Sequence, residues 1–309
     1  MNNNKGINRI SPQELHQQMK ESENLFLIDT LTKDHFQKVH IPGSESACVF
    51  EVIFLENISK IVPDKEKKIV VYGFSEKTMD AATAADKLLR AGYRNVCILE
   101  GGLQKWNADG LPLEGLEISS VEIPEQVLSL EDRKYTVDTE QSVIEWAGRN
   151  PNSKHHGTIK LSKGEIVVKE GEIGGSFTID MASIQNVNLE GDPLQSVLVS
   201  HLMSDDFFFV EKFPEAIFTI QSAKPIEELT FSVPNIEVTG TLELCGMKND
   251  LGFVTTVNPT AEGGITTEAH FDFDRTKWNV IYGSTRFFKH LGMHLVFDLI
   301  SIQMRILAG

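Results

Sequence analysis

The period of the apolar positions changes part-way along the chain. Up to residue 113, short apolar runs at residues 25–28, 69–72 and 96–99 alternate with segments of helical spacing, the pattern of buried strands separated by helices. Ser11 followed by Pro12 and Glu14 reads as a helix cap with proline in the first helical position, and the alanine-rich stretch 79–91 reads as a helix stopped by Gly92. Strands alternating with helices predict a parallel sheet.

Beyond residue 134 the period becomes two. Ile144, Trp146 and Gly148 share one face of a strand, as do Ile173, Gly175, Phe177 and Ile179, and again Val238, Gly240, Leu242 and Leu244. Turns are expected at Lys163-Gly164 and at Glu262-Gly263-Gly264, and many such strands predict an antiparallel barrel or sandwich. Residues 116–133 are acidic, contain Pro124 and lack clear periodicity, so the chain divides into a first domain at 1–115, a linker at 116–133 and a second domain at 134–309.

One segment of the second domain stands apart. Residues 201–218, HLMSDDFFFVEKFPEAIF, hold five phenylalanines within a short acidic stretch. Leu198, Leu202 and Met203 recur at helical spacing just before it, and Pro214 forces the chain extended ahead of a strand at 216–220. A helix capping a sheet would use these residues.

Composition narrows the partners. At 309 residues there is enough chain for two cores. The net charge is -15, and from Ser119 onward 15 basic residues face 27 acidic ones. That balance argues against nucleic acid and against docking on an acidic membrane, while a neutral apolar ligand suffers no such penalty. The start has no apolar core of signal-peptide length and no later run reaches a transmembrane span, so a cytoplasmic protein that is not integral to a membrane is expected. Cys48, Cys97 and Cys245 are scattered and odd in number, which suggests neither a disulfide framework nor a cysteine zinc site. His155 and His156 point to opposite faces of a strand, and with His201 and Asp205 they match no zinc spacing, so no metal is expected.

Several segments of the second domain, taken in order, resemble the YceI-like or polyisoprenoid-binding family. They are YTVDTEQSVIEW from Tyr135, HHGTIKLSKGEI from His155, IGGSFTIDMASI from Ile173, the phenylalanine segment, VTGTLELCGMKND from Val238 and FDFDRTKWNVIYG from Phe271. The resemblance implies an all-β, lipocalin-like antiparallel barrel around a tunnel for an isoprenoid, a quinone-like tail or another amphipathic lipid. Thirteen of the eighteen phenylalanines lie after Ser119, enough to line such a tunnel. An eight-stranded barrel is wide enough either to be filled by its own side chains or to hold one small ligand, and both readings stand at this level. Trp146, Phe177, Phe218, Phe271, Phe273, Trp278 and Phe297 are the candidate lining residues, with core packing as the alternative for each. On the last strand Asp298 falls on the apolar face with Val296 and Ile300, where Arg275 or Arg286 would neutralise it.

In the first domain, Asp29, the HIPGS segment at residues 40–44, the IVVY strand at 69–72 and LEGGLQKW at 99–106 resemble a rhodanese-like α/β domain. Active members carry a persulfide-forming cysteine directly after the strand matching 69–72; here that position is Gly73. The loop Gly73, Phe74, Ser75, Glu76, Lys77, Thr78 also ends in threonine where the resemblance calls for arginine, and Glu76 puts a negative charge where an anion would sit. Sulfur transfer needs a thiolate held by backbone N–H groups at a helix start. The domain therefore reads as non-catalytic, a module for recognising a partner or an anion, with no cofactor.

The preferred reading is an intracellular carrier of an isoprenoid or other amphipathic lipid, with a homodimer through the barrel domain also expected. The alternatives are a sulfurtransferase using Cys48 or Cys97, and a structural or regulatory protein with a filled barrel.

Overall fold

The structure is a computed structural model, and it describes residues 7–21, 24–118, 128, 130–226, 232–260 and 262–309. It divides into two compact units, with the division between Pro124 and Glu125, inside the stretch expected as the linker. Most of that stretch lies outside the described residues.

The first unit is a five-stranded parallel sheet in the order β1-β5-β4-β2-β3, formed by β1 (Asn8–Ile10), β2 (Leu25–Asp29), β3 (Glu45–Ser46), β4 (Lys68–Tyr72) and β5 (Asn95–Leu99). The helices are α1 (Pro12–Glu21), α2 (Lys33–Lys38), α3 (Phe54–Ile61), α4 (Asp80–Arg90) and α5 (Gly102–Ala108). Helix α1 begins with a reciprocal cap: the Ser11 N–H donates to Glu14 Oε2 at 3.1 Å and the Glu14 N–H to Ser11 Oγ at 3.3 Å. Ile28, Ile69, Val70, Val71 and Tyr72 have no accessible surface, so this core is filled from both faces of the sheet.

The second unit is a closed antiparallel barrel of eight strands. These are β7 (Val143–Arg149), β8 (Lys154–Lys169), β9 (Glu172–Asn186), β10 (Glu215–Pro225), β11 (Ile236–Leu244), β12 (Met247–Pro259), β13 (Ile265–Asp274) and β14 (Leu299–Ala308). Strand β14 pairs with β7, and the pairing of β8 with β9 closes the cylinder. The short β6 (Lys134–Thr136) pairs with the far half of β8, and Val137 bridges to Ala308, so β6 and β7 together occupy one strand position. Helix α6 (Leu194–Met203) packs Leu202 against Trp146 and Ile184.

The turns differ in part from the expectation. Lys163 and Gly164 make no turn. They lie within the 16-residue β8, beside a register shift between Leu161 and Lys163 that lets the long strand bend around the barrel. The chain reverses instead at Glu170-Gly171, where both residues have positive φ (54° and 78°), as a two-residue hairpin of the right twist requires. Cys245-Gly246 repeats the device at 52° and 72°. The turn expected around Gly263 and Gly264 is present, closed by the Thr260 N–H to the Gly264 carbonyl at 2.8 Å.

Candidate binding cavity and degenerate loop

The inward face of the barrel does not fill its interior. A cavity of about 290 Å³ lies within it, nearly twice the ~150 Å³ of an apolar void that stays dry and takes up benzene. Its lining comes from every strand of the barrel and from α6. Phe177, Phe253, Phe271, Phe273, Ile300, Ile302 and Met304 all line it and keep accessible surface, although they point inward. In the core of the first unit, Ile28, Ile69, Val70, Val71 and Tyr72 keep none. The contrast is that between a lined space and a packed core.

Polar side chains are few and placed apart. Gly148, Arg149, Asn150 and His155 border the cavity around the β7–β8 turn, and Arg275 borders it from beyond β13. Thr255 and Thr267 face each other within the wall at 3.4 Å between hydroxyls, and Thr255 donates to the Glu268 carbonyl, so neither leaves an unmet donor in the lumen. Trp146 turns its indole N–H outward to the Gln185 carbonyl at 3.1 Å.

The aromatic segment divides its side chains. Phe207 and Phe208 line the cavity below α6, while Phe209 adopts φ 44° and packs edge-on against Phe213, with the Lys212 ammonium over both rings. Phe218 continues the wall from β10 and stacks near Phe253, with ring centroids 5.5 Å apart. Leu198 and Leu202 close the lumen from α6. This helix and its following turn lie at the same end as the β7–β8 turn, since Asn186 Nδ2 donates to the His156 carbonyl at 3.0 Å and Gln195 Nε2 to the Asn186 carbonyl at 2.6 Å.

Beside them runs the connection from β13 to β14, held by Arg275. This guanidinium is fully buried and donates to the carbonyls of Val280, Tyr282, Val296 and Phe297 at 2.5–3.2 Å. Asp298 lies 3.9 Å from Arg275 and 3.0 Å from Arg286, so both expected arginines serve it. Burial lowers the Arg275 pKa, and Asp298 and Asp274 act against that shift.

Of the candidate lining residues, Trp146, Phe177, Phe218, Phe271 and Phe273 are brought together around the lumen. Trp278 and Phe297 are not. Trp278 is buried in a short 3-10 turn after β13, its indole N–H donating to the Leu242 carbonyl at 2.8 Å, and Phe297 precedes β14 with 45% of its surface exposed. Both lie outside the regular strands, where alternation ceases to assign a face. Phe253 was missed, yet Leu251, Phe253, Thr255 and Val257 alternate and all line the cavity; the two threonines masked the apolar pattern.

In the first unit, the loop after β4 borders a small cavity of about 90 Å³ and turns three of its N–H groups onto nearby side chains. Asp80 Oδ2 accepts the Phe74 N–H at 3.3 Å, Thr78 Oγ1 accepts the Ser75 N–H at 3.2 Å and Ser75 Oγ accepts the Lys77 N–H at 3.3 Å. Leu103 and Gln104, at the start of α5, donate to the carbonyls of Gly73 and Phe74. Arg9 meets Glu76 at 3.4 Å. Cys48 and Cys97 are buried at 7% exposure each, and burial raises the Cys97 pKa and lifts that of Cys245 to about 11.

Comparison with known proteins now bears on the barrel. The YceI-like domain model matches residues 135–308, more than half of the chain. The chain belongs to the YceI-like family. A rhodanese-like domain model matches residues 11–109, so this YceI-like protein carries a rhodanese-like domain ahead of its barrel. Among curated relatives, the uncharacterized protein YibN of Escherichia coli is 31% identical over 91 residues, 29% of this chain and 62% of that protein. The adenylyltransferase and sulfurtransferase UBA4 of Candida albicans is 30% identical over 104 residues, 33% of this chain and 24% of that one. The chain thus spans less than two thirds of the length of either. Among solved structures, Burkholderia cenocepacia BcnA is 21% identical, covering 56% of this chain and 99% of its own, with a TM-score of 0.45. A polyisoprenoid binding domain from Saccharophagus degradans is 14% identical, covering 56% and 97%, with a TM-score of 0.39.

Proposed function

We propose that this YceI-like protein is an intracellular carrier that holds an isoprenoid or another amphipathic lipid in its barrel, and that its rhodanese-like domain is a non-catalytic recognition module. The observation that carries the first part is the apolar lumen, whose walls keep uncovered surface. A hydrocarbon tail there would remove its own apolar area and that of the walls from water at about 25 cal/mol per Å². The tail is uncharged, so the net charge of -15 does not oppose it. Three free cysteines among the described residues fit a reducing compartment.

The second part is supported by chemistry at one loop. Gly73 offers no sulfur, and the N–H groups of Phe74, Ser75 and Lys77 are already bonded to Asp80, Thr78 and Ser75. No cofactor is needed for either role. The test is a titration of delipidated protein with a quinone bearing an isoprenoid tail, read by tryptophan fluorescence. Trp146 lines the lumen, whereas Trp106 and Trp278 are buried elsewhere. Saturable quenching that disappears in Trp146→Phe is expected; a linear, unsaturable response would contradict binding in the barrel.

A further inference from the structure

The connection between β13 and β14 pairs two properties not found together elsewhere among the described residues of the barrel. Phe287, Phe288 and Phe297 are the barrel phenylalanines, among the described residues, that rank as exposed, and Met293 beside them is 87% exposed. Residues 285–297 also contain Arg286, Lys289, His290 and His294 and not one acidic residue, in a chain of net charge -15. Lys289 has no carboxylate partner among the described residues, while Arg286 is engaged by Asp274 and Asp298.

This segment is anchored. Arg275 holds the chain at Val280 and Tyr282 ahead of the segment and at Val296 and Phe297 at its end, Val296 lines the cavity, and the Phe297 N–H donates to the carbonyl of Arg149 at 2.9 Å, beside the lumen. Its apolar side chains are therefore presented outward at the polar-bordered end of the cavity by a fixed backbone.

We infer that residues 285–297 dock this end of the barrel on an anionic lipid bilayer. The inference rests on the lipid-carrier reading, because a ligand insoluble in water must pass between a bilayer and the lumen. Exposed aromatic and methionine side chains interleaved with cations are what an interfacial segment presents to a membrane. With Arg275 and Arg286 set against Asp274 and Asp298, Lys289 is left as the segment's excess positive charge, and because charges farther than about 8 Å are screened at physiological salt, the acidity of the rest of the chain acts on it only weakly. Each basic residue at an anionic surface strengthens binding about fivefold.

The experiment is co-sedimentation of the full chain with phosphatidylcholine vesicles, with and without phosphatidylglycerol. Binding to the phosphatidylglycerol vesicles is expected, weakening with added salt. Replacing Phe287, Phe288 and Met293 together by serine is expected to weaken it on the order of tenfold or more, and Lys289→Glu about thirtyfold. Lipid uptake by the delipidated variants is measured in parallel and is expected to persist. Wild-type protein that takes up lipid yet ignores vesicles, or a triple variant that still sediments with them, overturns the docking inference and leaves the cavity reading intact. Vesicle binding lost in the triple variant with no lipid uptake by any form supports docking while removing the carrier reading. A dimer in light scattering that the triple variant breaks, without vesicle binding, assigns the surface to a second copy and overturns the proposal.

Discussion

Asp80 fills the space that a side chain on Gly73 would need. A Cβ at Gly73 would lie 2.7 Å from both the Cβ and Oδ2 of Asp80, and 3.1 Å from the backbone N of Ala81. The carboxylate that crowds Gly73 also accepts the Phe74 N–H, so one residue both excludes a nucleophile and satisfies the loop.

Gly73→Cys alone is therefore expected to leave the protein without thiosulfate sulfurtransferase activity. It should also lower stability by about 1–3 kcal/mol, the usual cost of forcing extra atoms into a packed site. Thermal unfolding and a sulfur-transfer assay check this, and robust activity in the single variant would show that Asp80 yields easily.

Asp29 sets a pH dependence in the same unit. It is fully buried, one oxygen accepts the Leu31 N–H at 2.8 Å, the other has no hydrogen-bond partner, and burial pushes its pKa from 3.8 up to about 6. The folded state thus holds a proton that the unfolded chain has released. The contribution to stability is full below the ordinary carboxylate pKa and is lost as pH rises through about 6. Asp29→Asn should be more stable than the wild type near neutrality by up to about 3 kcal/mol, and the difference should vanish toward pH ~4. Urea melts of both proteins across that range measure it; a constant difference would contradict the assignment.

Arg275 is the keystone of the β13–β14 connection. Arg275→Met leaves the carbonyls of Val280, Tyr282, Val296 and Phe297 without their donor and should cost about 3–5 kcal/mol. Arg275→Lys should recover little, because a compact ammonium cannot reach four carbonyls around a planar fork. Limited proteolysis is expected to cut residues 283–298 faster in both variants; unchanged cleavage would mean that the segment holds itself in place.

Much of this was legible in the sequence because the periods of two and 3.6 report directly on faces. The strands at residues 25–28, 69–72 and 96–99 and the faces bearing Trp146 and Phe177 follow from those periods, whereas Phe218, Phe271 and Phe273 came with the family resemblance. Trp278 and Phe297 were not placed, since both sit where the chain leaves its strand. Gly164 signalled a turn but serves close packing: a Cβ there would meet Val137 Cγ2 at 2.8 Å and Phe177 Cδ1 at 3.0 Å. Asp80 escaped notice because its effect is steric and through space, seven positions from Gly73. The hollow lumen, too, is a property of volume, which alternation cannot report.

The most direct test of the account is organic extraction of the purified protein and of an Ala216→Trp variant, with mass spectrometry of both extracts. Ala216 lines the lumen two residues before Phe218 on β10, so the added indole projects into the empty space. The account predicts a lipid with a long apolar chain from the wild type and a markedly reduced yield from the folded variant. Equal recovery from both proteins would contradict binding inside the barrel, and so would a wild-type protein that yields no lipid and takes none up when delipidated.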